Sequence, residues 1–256
     1  MKQRTYLRTS ELAKAVGMHP NTVRRYVDWG LLPPVERSAS NYRLFTRYHL
    51  HCLRVAHLIY GREYPGRTIQ QSAVRIIHCM VQGDRHGALA AAQAHLALVL
   101  DKQSQADAAA DLLEHWAVTQ AHTSQGPWLQ IGQAAEALGV TIDVLRNWDR
   151  NGLIDVPRNT YNGYRRYGTR EMARLQVIRM LSNAGYSIAA ILRMMLQLDE
   201  GRTENLRQVL DTPRPDEDVY MASDRWISTL NHQEQKAHEL IALVQEIIVD
   251  ETRQAS

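Results

Sequence analysis

The chain has 256 residues, of which 45% are hydrophobic and 22% charged, so it can bury ordinary cores in one to three domains and is too apolar to be disordered. Its two cysteines, Cys52 and Cys79, exclude a disulfide scaffold and fit a reducing cytoplasm, where we expect the protein to act. Met1-Lys2-Gln3-Arg4 leads into no apolar run, so no signal peptide is expected. No stretch approaches the roughly 20 apolar residues of a membrane span, and no membrane partner is expected.

The net charge of +3 is unevenly distributed along the chain. Residues 1–80 hold 13 Lys and Arg against 4 Asp and Glu, a balance of +9, and residues 127–200 hold 9 against 7, a balance of +2. The stretches 81–126 and 201–256 have balances of −3 and −5. This distribution indicates two segments that meet phosphate, joined by acidic connections. Taken alone, it is also compatible with a random fluctuation of charge.

Residues 1–82, here called the first reader, have the pattern of a helix-turn-helix followed by a wing. A short helix over 9–16 ends at Gly17, where a left-handed backbone costs glycine little. Pro20 suits the first turn of a second helix, Asn21 to Trp29, because its missing N–H would have no partner there. The remaining predicted elements are a wing hairpin over 35–45, a third helix over Arg47–Tyr60, and a fourth helix that is capped by Thr68 and runs to about Gln82.

The same pattern restarts after residues 119–127, which have the composition of a linker. Residues 128–200, here called the second reader, align with the first reader without a gap as far as the wing when the chain is shifted by 122 positions. Beyond the wing, Gly185-Tyr186-Ser187-Ile188 matches Glu63-Tyr64 and then Thr68-Ile69, after a three-residue insertion of Pro65-Gly66-Arg67 in the first reader. The chain therefore contains an internal repeat. The aligned pairs include Gly17 with Gly139, Gly30 with Gly152, and Tyr42-Arg43 with Tyr164-Arg165.

A long helix with a heptad pattern is predicted after each reader, over residues 84–118 and over residues 223–251, which follow an acidic loop at 201–222. Such helices need a partner along their length, although the first could also be one helix of an ordinary bundle. We predict antiparallel pairing, because it brings the second reader to within the roughly 30 Å that a nine-residue linker spans. The predicted stripes are Leu89, Leu96, Ala110 and Ala117 beside Ala92, Val99, Ala106 and Leu113, with Gln103 as the one polar member, and Ile227, Ile241 and Ile248 beside Leu230, Ala237 and Val244.

Both readers resemble the DNA-binding region of the mercury-resistance-regulator (MerR) family. In the first reader the resemblance rests on Ala13, Gly17, Thr22-Val23-Arg24-Arg25-Tyr26, Gly30-Leu31-Leu32-Pro33-Pro34 and Tyr42-Arg43-Leu44-Phe45. In the second it rests on Leu145-Arg146-Asn147-Trp148, Gly152-Leu153-Ile154, Gly163-Tyr164-Arg165-Arg166-Tyr167 and Ala184-Gly185-Tyr186-Ser187-Ile188. The resemblance implies a transcription activator with RNA polymerase as a partner. Family members are usually dimers of one reader each that bend and undertwist an overlong promoter spacer when an effector binds.

The expected fold class is mainly α, with two winged helix-turn-helix domains, each followed by a long helix. The two long helices would pair antiparallel, so that a monomer acts as a pseudo-dimer. The chain departs from the family pattern at Asn41, which replaces a wing glycine but tolerates a left-handed turn, and at Val144, which replaces a common hydroxyl residue. Because the two recognition faces also differ, we expect an asymmetric operator rather than a palindrome.

Arginines at the start of a recognition helix address guanine edges or phosphates, and arginines on a wing address the backbone or minor groove. For Arg24 and Arg146 the alternative is a surface ion pair, for instance with Asp28 or Asp149. Tyrosines at the starts of the fourth helices either offer hydroxyls to phosphate or simply pack. The candidate DNA contacts are Asn21, Thr22, Arg24, Arg25, Arg37, Tyr42, Arg43, Tyr64, Arg146, Asn147, Arg158, Tyr164, Arg165, Arg166 and Tyr186. Tyr26 and Trp148 are predicted to be core residues that brace the recognition helices.

A metal effector is not predicted, and neither is a cofactor. Cys52 and Cys79 fall on reader helices and have the pattern of buried small hydrophobes, and no cysteine follows Cys79. A small organic effector fits better, because antiparallel pairing would gather several aromatic residues into a cage for a planar or cationic molecule. The alternative is an aromatic plug that closes the helix junction. The candidate cage residues are His115, Trp116, Trp128, Tyr220 and Trp226.

Together these features predict a sequence-specific transcription regulator that binds double-stranded promoter DNA and distorts it. Two other classes of protein stay open at this point. One is an architectural or recombination accessory protein that bends DNA without an effector, and the other is a small-molecule sequestering protein with reader-like folds. An enzyme is not expected, because no phosphate loop, nucleophile motif or metal-ligand set stands out.

Overall fold

The chain was studied as a computed structural model, which describes residues 6–60, 66–119, 126–213 and 222–255. The chain divides into two compact units. Unit 1 comprises Met1–Leu100 and His232–Ser256 and contains the first reader, whereas unit 2 comprises Asp101–Asn231 and contains the second. The described residues are mainly helical, so the predicted fold class of helix-turn-helix domains followed by long helices is confirmed.

Unit 1 begins with the predicted helix pair. Helix α1, Thr9–Val16, ends at Gly17, whose φ of 70° is the left-handed conformation that glycine adopts without strain, and α2 spans Pro20–Asp28. The remaining elements of the first reader are β1 (Glu36–Arg37), β2 (Arg43–Leu44), α3 (Arg47–Ile59) and α4 (Arg67–Val81). β1 and β2 pair antiparallel and form the predicted wing. The fully buried side chains of its core include Leu12, Val23, Phe45, Leu53 and Ile76.

The start of α4 differs from the prediction. Gly66, the residue before α4, has a φ of 90°, which side-chain-bearing residues rarely adopt, so the change of backbone direction occurs there. The helix consequently starts at Arg67, and Thr68 occupies its second position with an exposed side chain instead of capping it.

Unit 2 repeats this arrangement with one addition. The equivalents of α1 to α4 are α6 (Ile131–Leu138), α7 (Ile142–Arg150), α8 (Thr169–Ala184) and α9 (Ile188–Asp199), and the added helix is α10 (Leu206–Asp211). Gly139, with a φ of 59°, ends α6 as Gly17 ends α1. In each reader a residue before the first helix forms an antiparallel β-bridge with the residue after the wing. These bridges join Leu7 to Phe45 and Leu129 to Tyr167.

The prediction of an acidic loop over 201–222 is wrong where α10 lies. Leu206 and Leu210 point inward and are fully buried, which supplies the apolar face that a six-residue helix needs. The acidic residues 216–218 lie outside the described residues, as do 120–125 of the predicted linker.

Two long helices follow the readers. Helix α5, Arg85–Thr119, has 35 residues, and α11, Trp226–Ala255, has 30 and is preceded by a 3-10 turn over Ala222–Arg225. Each helix contributes to both units, because the division falls after Leu100 in α5 and after Asn231 in α11. Within the described residues no helix is long and apolar enough to cross a membrane.

One predicted stripe on each long helix is fully buried, namely Ala92, Val99, Ala106 and Leu113 on α5 and Leu230, Ala237 and Val244 on α11. In the second predicted stripe Ala110 is fully buried as predicted, but elsewhere the buried positions are displaced by one residue. Leu89, Leu96 and Ile241 are only partly buried, whereas the adjacent positions are buried: Ala88, His95 and Ala109 on α5, and Trp226, Gln233, Leu240 and Ile247 on α11.

Contacts between the two long helices occur inside each unit. In unit 1, Ala88 and Ala92 share one core cluster with Leu240 and Val244. In unit 2, the Gln103 side-chain amide donates a hydrogen bond of 2.5 Å to the Asn231 side-chain oxygen. Gln103, the predicted polar member of the seam, thus has a polar partner. The pseudo-dimer as a whole stays a prediction.

Candidate nucleic-acid interface

Helix α2 is the recognition helix of the first reader. The ring Nδ1 of His19 accepts the Asn21 backbone N–H at 3.2 Å, which caps the helix. Val23 and Tyr26 are buried and hold the helix on the core, as predicted for Tyr26. The candidate residues Asn21, Thr22, Arg24 and Arg25 lie away from that face, with all but the half-buried Thr22 exposed.

The arginines of α2 carry their charge at the surface. The Arg24 guanidinium donates to the Asn21 side-chain oxygen at 2.6 Å, so its partner is neutral. The Arg25 guanidinium lies 5.5 Å from the ring centre of Trp29, which is 59% exposed. A guanidinium held over an indole face keeps its charge and stays oriented. This surface can therefore approach a polyanion without first breaking an ion pair.

The wing of the first reader turns through Asn41, whose φ of 65° is left-handed as predicted for this glycine substitute. Arg37 donates to the Asn41 side-chain oxygen at 3.0 Å, so this arginine braces the turn. Tyr42 is 71% exposed beside it. Arg43 contacts Asp28 at 3.5 Å, and the Asp28 side chain is 64% exposed. Tyr64 lies outside the described residues.

Helix α7 is the recognition helix of the second reader. The Thr141 hydroxyl accepts the Val144 backbone N–H at 3.3 Å and caps it, and Leu145 and Trp148 are buried, as predicted for Trp148. Arg146 contacts the carboxylate of Asp143 at 3.2 Å.

Asn147 is half-buried, and the Asn151 side-chain amide donates to its side-chain oxygen at 3.1 Å and to its backbone oxygen at 2.7 Å. The polar groups of α7 are thus partly satisfied within the helix.

The wing of the second reader is longer at its tip. Arg158 pairs with Arg165, leaving the six residues 159–164 between them, whereas Arg37 pairs with Arg43 and leaves the five residues 38–42. The pairing register of the two hairpins therefore differs by one residue, whereas Arg43 and Arg165, and the bridges of Leu7 to Phe45 and of Leu129 to Tyr167, keep the predicted shift of 122 positions. Arg158 donates to the Gly163 carbonyl at 3.2 Å and braces this turn, as Arg37 braces the first.

The two arginines at the base of the second wing have different partners, a carboxylate for Arg165 and an aromatic ring for Arg166. Arg165 donates through Nε to the Asp149 carboxylate at 2.9 Å and through Nη2 to the same oxygen. The two side chains are 25% and 19% exposed, so this ion pair is largely shielded from water. Arg166 lies 4.8 Å from the ring centre of Trp128. Asp149 thus pairs with Arg165 and not with Arg146, the partner considered for it.

Tyr186 does not fit a phosphate contact. It is 4% exposed, and its hydroxyl donates to the Ala106 carbonyl of α5 at 3.1 Å. Burial raises the pKa of this hydroxyl above its ordinary value, so it stays a proton donor at neutral pH. The prediction of Tyr186 as a DNA contact is corrected in favour of the packing alternative.

Among the described residues of the predicted aromatic cage, Trp226 has the role of the alternative, an aromatic plug. Trp226 is 7% exposed, its indole N–H donates to the Ala184 carbonyl at 2.9 Å, and its ring packs against Gly185. This is the plug alternative, because a ring so engaged offers no face to a ligand. Trp128 is half-exposed under Arg166, His115 is exposed and Trp116 half-buried. Tyr220 lies outside the described residues.

An open groove of about 520 Å³ lies elsewhere in unit 2, between α9 and α10. It is lined by Arg193, Gln197, Glu200, Arg202, Gln208, Val209 and Thr212. Amide and charged groups dominate this lining, so the groove does not resemble an aromatic cage. Among the residues that the structure describes, no three His, Cys, Asp or Glu side chains converge on one point. Cys52 is buried, and Cys79 is partly buried against the core.

Sequence reasoning missed two exposed aromatic residues. Trp29 directly follows α2. The sequence signal for it was Arg25, which precedes it by four residues and therefore lies on the same side of the helix, where it can stack on the ring. Tyr161 is 98% exposed on the tip of the second wing. Its signal was the polar run Asn159-Thr160-Tyr161-Asn162, in which an aromatic residue has no apolar neighbour to pack against.

Comparisons with known proteins match both readers. Residues 8–45 match the model of the MerR family regulatory protein, and residues 129–198 match that of the MerR HTH family regulatory protein. No solved structure matches the chain significantly.

Among curated relatives, the mercuric resistance operon regulatory protein of Serratia marcescens is 34% identical over 73 residues, which is 28% of this chain and 50% of that protein. The HTH-type transcriptional repressor CarH of Myxococcus xanthus is 36% identical over 72 residues, 28% of this chain and 24% of the relative. A probable heavy metal-dependent transcriptional regulator of Haemophilus influenzae is 26% identical over 117 residues, which is 46% of this chain and 83% of that protein. The chain thus spans a quarter to a half of the length of the first two relatives. With a match on each reader, the chain carries two regions in tandem that are similar to the helix-turn-helix region of MerR-type regulators.

Proposed function

We propose that the chain is a transcription regulator that binds double-stranded promoter DNA through two unlike readers. The observation that carries this proposal is the same in each unit: the predicted recognition helix is anchored by buried residues and presents an exposed arginine, and the wing presents an exposed tyrosine. Arg24 and Tyr42 do so in unit 1, and Arg146 and Tyr164 in unit 2. Guanidinium groups and hydroxyls are donors suited to phosphate and to guanine edges.

The operator is expected to be asymmetric. A homodimer presents two identical readers and mirrors its symmetry in a palindrome. Here α2 offers Asn21, Thr22, Arg24 and Arg25, whereas α7 offers Asp143, Val144, Arg146 and Asn147 at the aligned positions. Two such faces need different half-sites. A single chain would then act as a pseudo-dimer, with α5 and α11 in the place of the two dimer helices.

Regulation by DNA distortion is proposed from the family resemblance, and RNA polymerase is the partner that the resemblance implies. The named relatives are an operon regulatory protein and a transcriptional repressor. Both these relatives and the matching family models favour a regulator over an enzyme. A small organic effector is proposed rather than a metal ion, because the described thiols of Cys52 and Cys79 belong to the first reader's core.

Selection of duplexes from a random pool by the full-length protein tests this proposal. A selected site with two dissimilar half-sites is expected, with hydroxyl-radical protection over both and a monomer mass by light scattering. A palindrome bound by two chains would overturn the pseudo-dimer, and no enrichment at moderate salt would overturn DNA binding itself.

Two alternatives remain and make different predictions. An architectural or recombination accessory protein would bend its site without a ligand and at positions away from promoters. A sequestering protein would bind planar organic compounds and enrich no duplex. Transcription from a promoter that carries the selected site, measured with and without such compounds, separates these outcomes.

A further inference from the structure

The tip of the second wing differs from the first by one residue and by its chemistry. The tip residues 159–164 include Tyr161 at 98% exposure, whereas the first tip, residues 38–42, has the small residues Ala39 and Ser40 at the corresponding turn. An exposed aromatic ring by itself is common and requires no explanation. At this position, however, two further features accompany it.

The first feature is that the tip is held in shape by its own side chains. The Tyr161 backbone N–H donates to the Asn159 side-chain oxygen at 2.8 Å, and the Tyr164 N–H donates to that of Asn162 at 3.0 Å. Arg158 donates to the Gly163 carbonyl from the other side. Asx turns of this kind fix the backbone around the residue that they enclose. Tyr161 is therefore presented outward by an ordered turn.

The second feature is that the wing's arginine is engaged. Two N–H groups of Arg165 bind Asp149, and both side chains are largely shielded. The equivalent Arg43 has only a 3.5 Å contact to a well-exposed carboxylate. A phosphate would have to displace Asp149 from Arg165, so Arg165 is less available to phosphate than Arg43 is.

We propose that Tyr161 is a DNA contact of the second reader and replaces the wing arginine in that role. Its ring would lie against deoxyribose at the flank of the second half-site, and its hydroxyl would donate to a phosphate oxygen. A phenol suits this partner because it offers an apolar face and a donor without a competing charge. This inference rests on the proposed function and concerns one residue within it.

The test uses the full-length protein and the duplex that the wild type selects from a random pool. Tyr161→Ser is expected to weaken binding about tenfold, within the range of aromatic contacts to nucleic acid. It should also remove hydroxyl-radical protection from sugars at one end of the site only. Tyr161→Phe should keep that protection and lose about two- to threefold in affinity, because only the hydroxyl is removed. The matched control, Tyr42→Ser in the first wing, should act at the opposite end.

Unchanged affinity and protection for Tyr161→Ser, with a wild type that binds, would overturn this inference and leave the proposed function standing. Loss spread over both ends would overturn it as well, since it indicates a general defect. Because Tyr161 is 98% exposed, equal thermal unfolding of variant and wild type is expected. A wild type that enriches no duplex would overturn the proposed function, and this inference with it.

Discussion

In the first reader Arg24 hydrogen-bonds the neutral side-chain amide of Asn21, whereas in the second reader the equivalent Arg146 contacts the carboxylate of Asp143. The spacing of the pair is three residues in both helices, and only the partner's charge differs. A guanidinium beside an amide leaves a net charge of +1 on the helix surface, and one beside a carboxylate leaves none. The repeated fold thus presents two surfaces of different electrostatic strength.

The wings show the same difference. Arg43 contacts Asp28 at 3.5 Å, and the Asp28 carboxylate is 64% exposed, so this pair contributes little and Arg43 can turn to another anion at small cost. Arg165 is held through two N–H groups by Asp149, whose side chain is only 19% exposed. We therefore expect the first reader to supply most of the affinity for phosphate, and the second to depend more on shape and on specific contacts.

The interiors of the two units differ in how many buried groups titrate near neutral pH. Unit 1 contains three buried histidines, His49, His51 and His95, whereas the described core of unit 2 is tied by hydrogen bonds that do not titrate near neutrality, such as those of Tyr186 and Trp226. These differences can be tested separately.

Acid should destabilise unit 1 selectively, and this is the largest effect expected. Burial lowers the pKa of His49, His51 and His95, and for His51 the nearby Arg47 and Arg54 lower it further. The unfolded chain takes up protons below about pH 6.5 while the folded chain resists them, so stability falls as pH falls below that value. The loss of stability should be larger in unit 1, because all three histidines lie there.

Hydrogen exchange at pH 7.5 and 5.5, corrected for intrinsic rates, measures this loss in each unit. His95→Leu should reduce the acid sensitivity of unit 1, because it removes one of the three titrating groups. Ser72, the ring's hydrogen-bond partner, keeps a partner in this variant, because its hydroxyl also lies within hydrogen-bond distance of the Ile69 carbonyl. His57→Asn, at an exposed position of α3, is the matched control and should change nothing. Equal acid sensitivity of the two units would contradict the comparison.

Substitution of the recognition arginines should weaken operator binding unequally. Arg24→Ala is expected to cost about 2 kcal/mol, roughly thirtyfold in affinity, and Arg146→Ala less, because Asp143 already offsets the charge of Arg146. Each should reduce the salt dependence of binding by about one phosphate contact and act at opposite ends of the footprint. Lys14→Ala, an exposed cation of α1 outside the predicted contacts, serves as the control. A larger loss for Arg146→Ala would reverse the proposed ranking.

Much of the fold could be predicted from local sequence signals. Gly17 and Gly139 mark turns through their backbone freedom, so the end of α1 was predicted correctly. The predicted end of α3, Tyr60, is within one residue of the observed end at Ile59. Asn41 adopts the left-handed turn for the same local reason. The buried Tyr26 and Trp148 followed from helical periodicity, which a single element determines.

The features that failed depend on distant partners. Tyr186 bonds a carbonyl 80 residues away and Trp226 one 42 residues away, so neither could be separated from an exposed aromatic by its neighbours in sequence. Helix α10 has only six residues and is held by Arg207, which bonds Asp107 and Asp111 on α5. A short helix of this kind has little intrinsic stability, and its local sequence resembles a loop.

Removing one tyrosine hydroxyl in each unit should lower stability without changing DNA binding. Tyr186→Phe removes the hydrogen bond that the hydroxyl donates to the Ala106 carbonyl in unit 2, for an expected loss of about 1 kcal/mol. Tyr48→Phe is the matched change in unit 1, where the hydroxyl donates to the Met80 carbonyl at 2.5 Å and joins α3 to α4. Hydrogen exchange locates each loss. Weaker operator binding by Tyr186→Phe with unchanged stability would restore Tyr186 as a phosphate contact.

The smallest effect is expected from Asp149→Asn, and it has an unusual sign. The substitution keeps the shape of Asp149 but removes its charge, so Arg165 is released toward phosphate and operator binding should tighten about threefold. Asp28→Asn in the first reader should change binding less, because Arg43 is only loosely paired there. The measurement is affinity for the selected duplex at two salt concentrations, since a released cation also steepens the salt dependence. If Asp149→Asn weakens binding instead, the carboxylate orients Arg165 for contact, and the second wing reads DNA through its arginine after all.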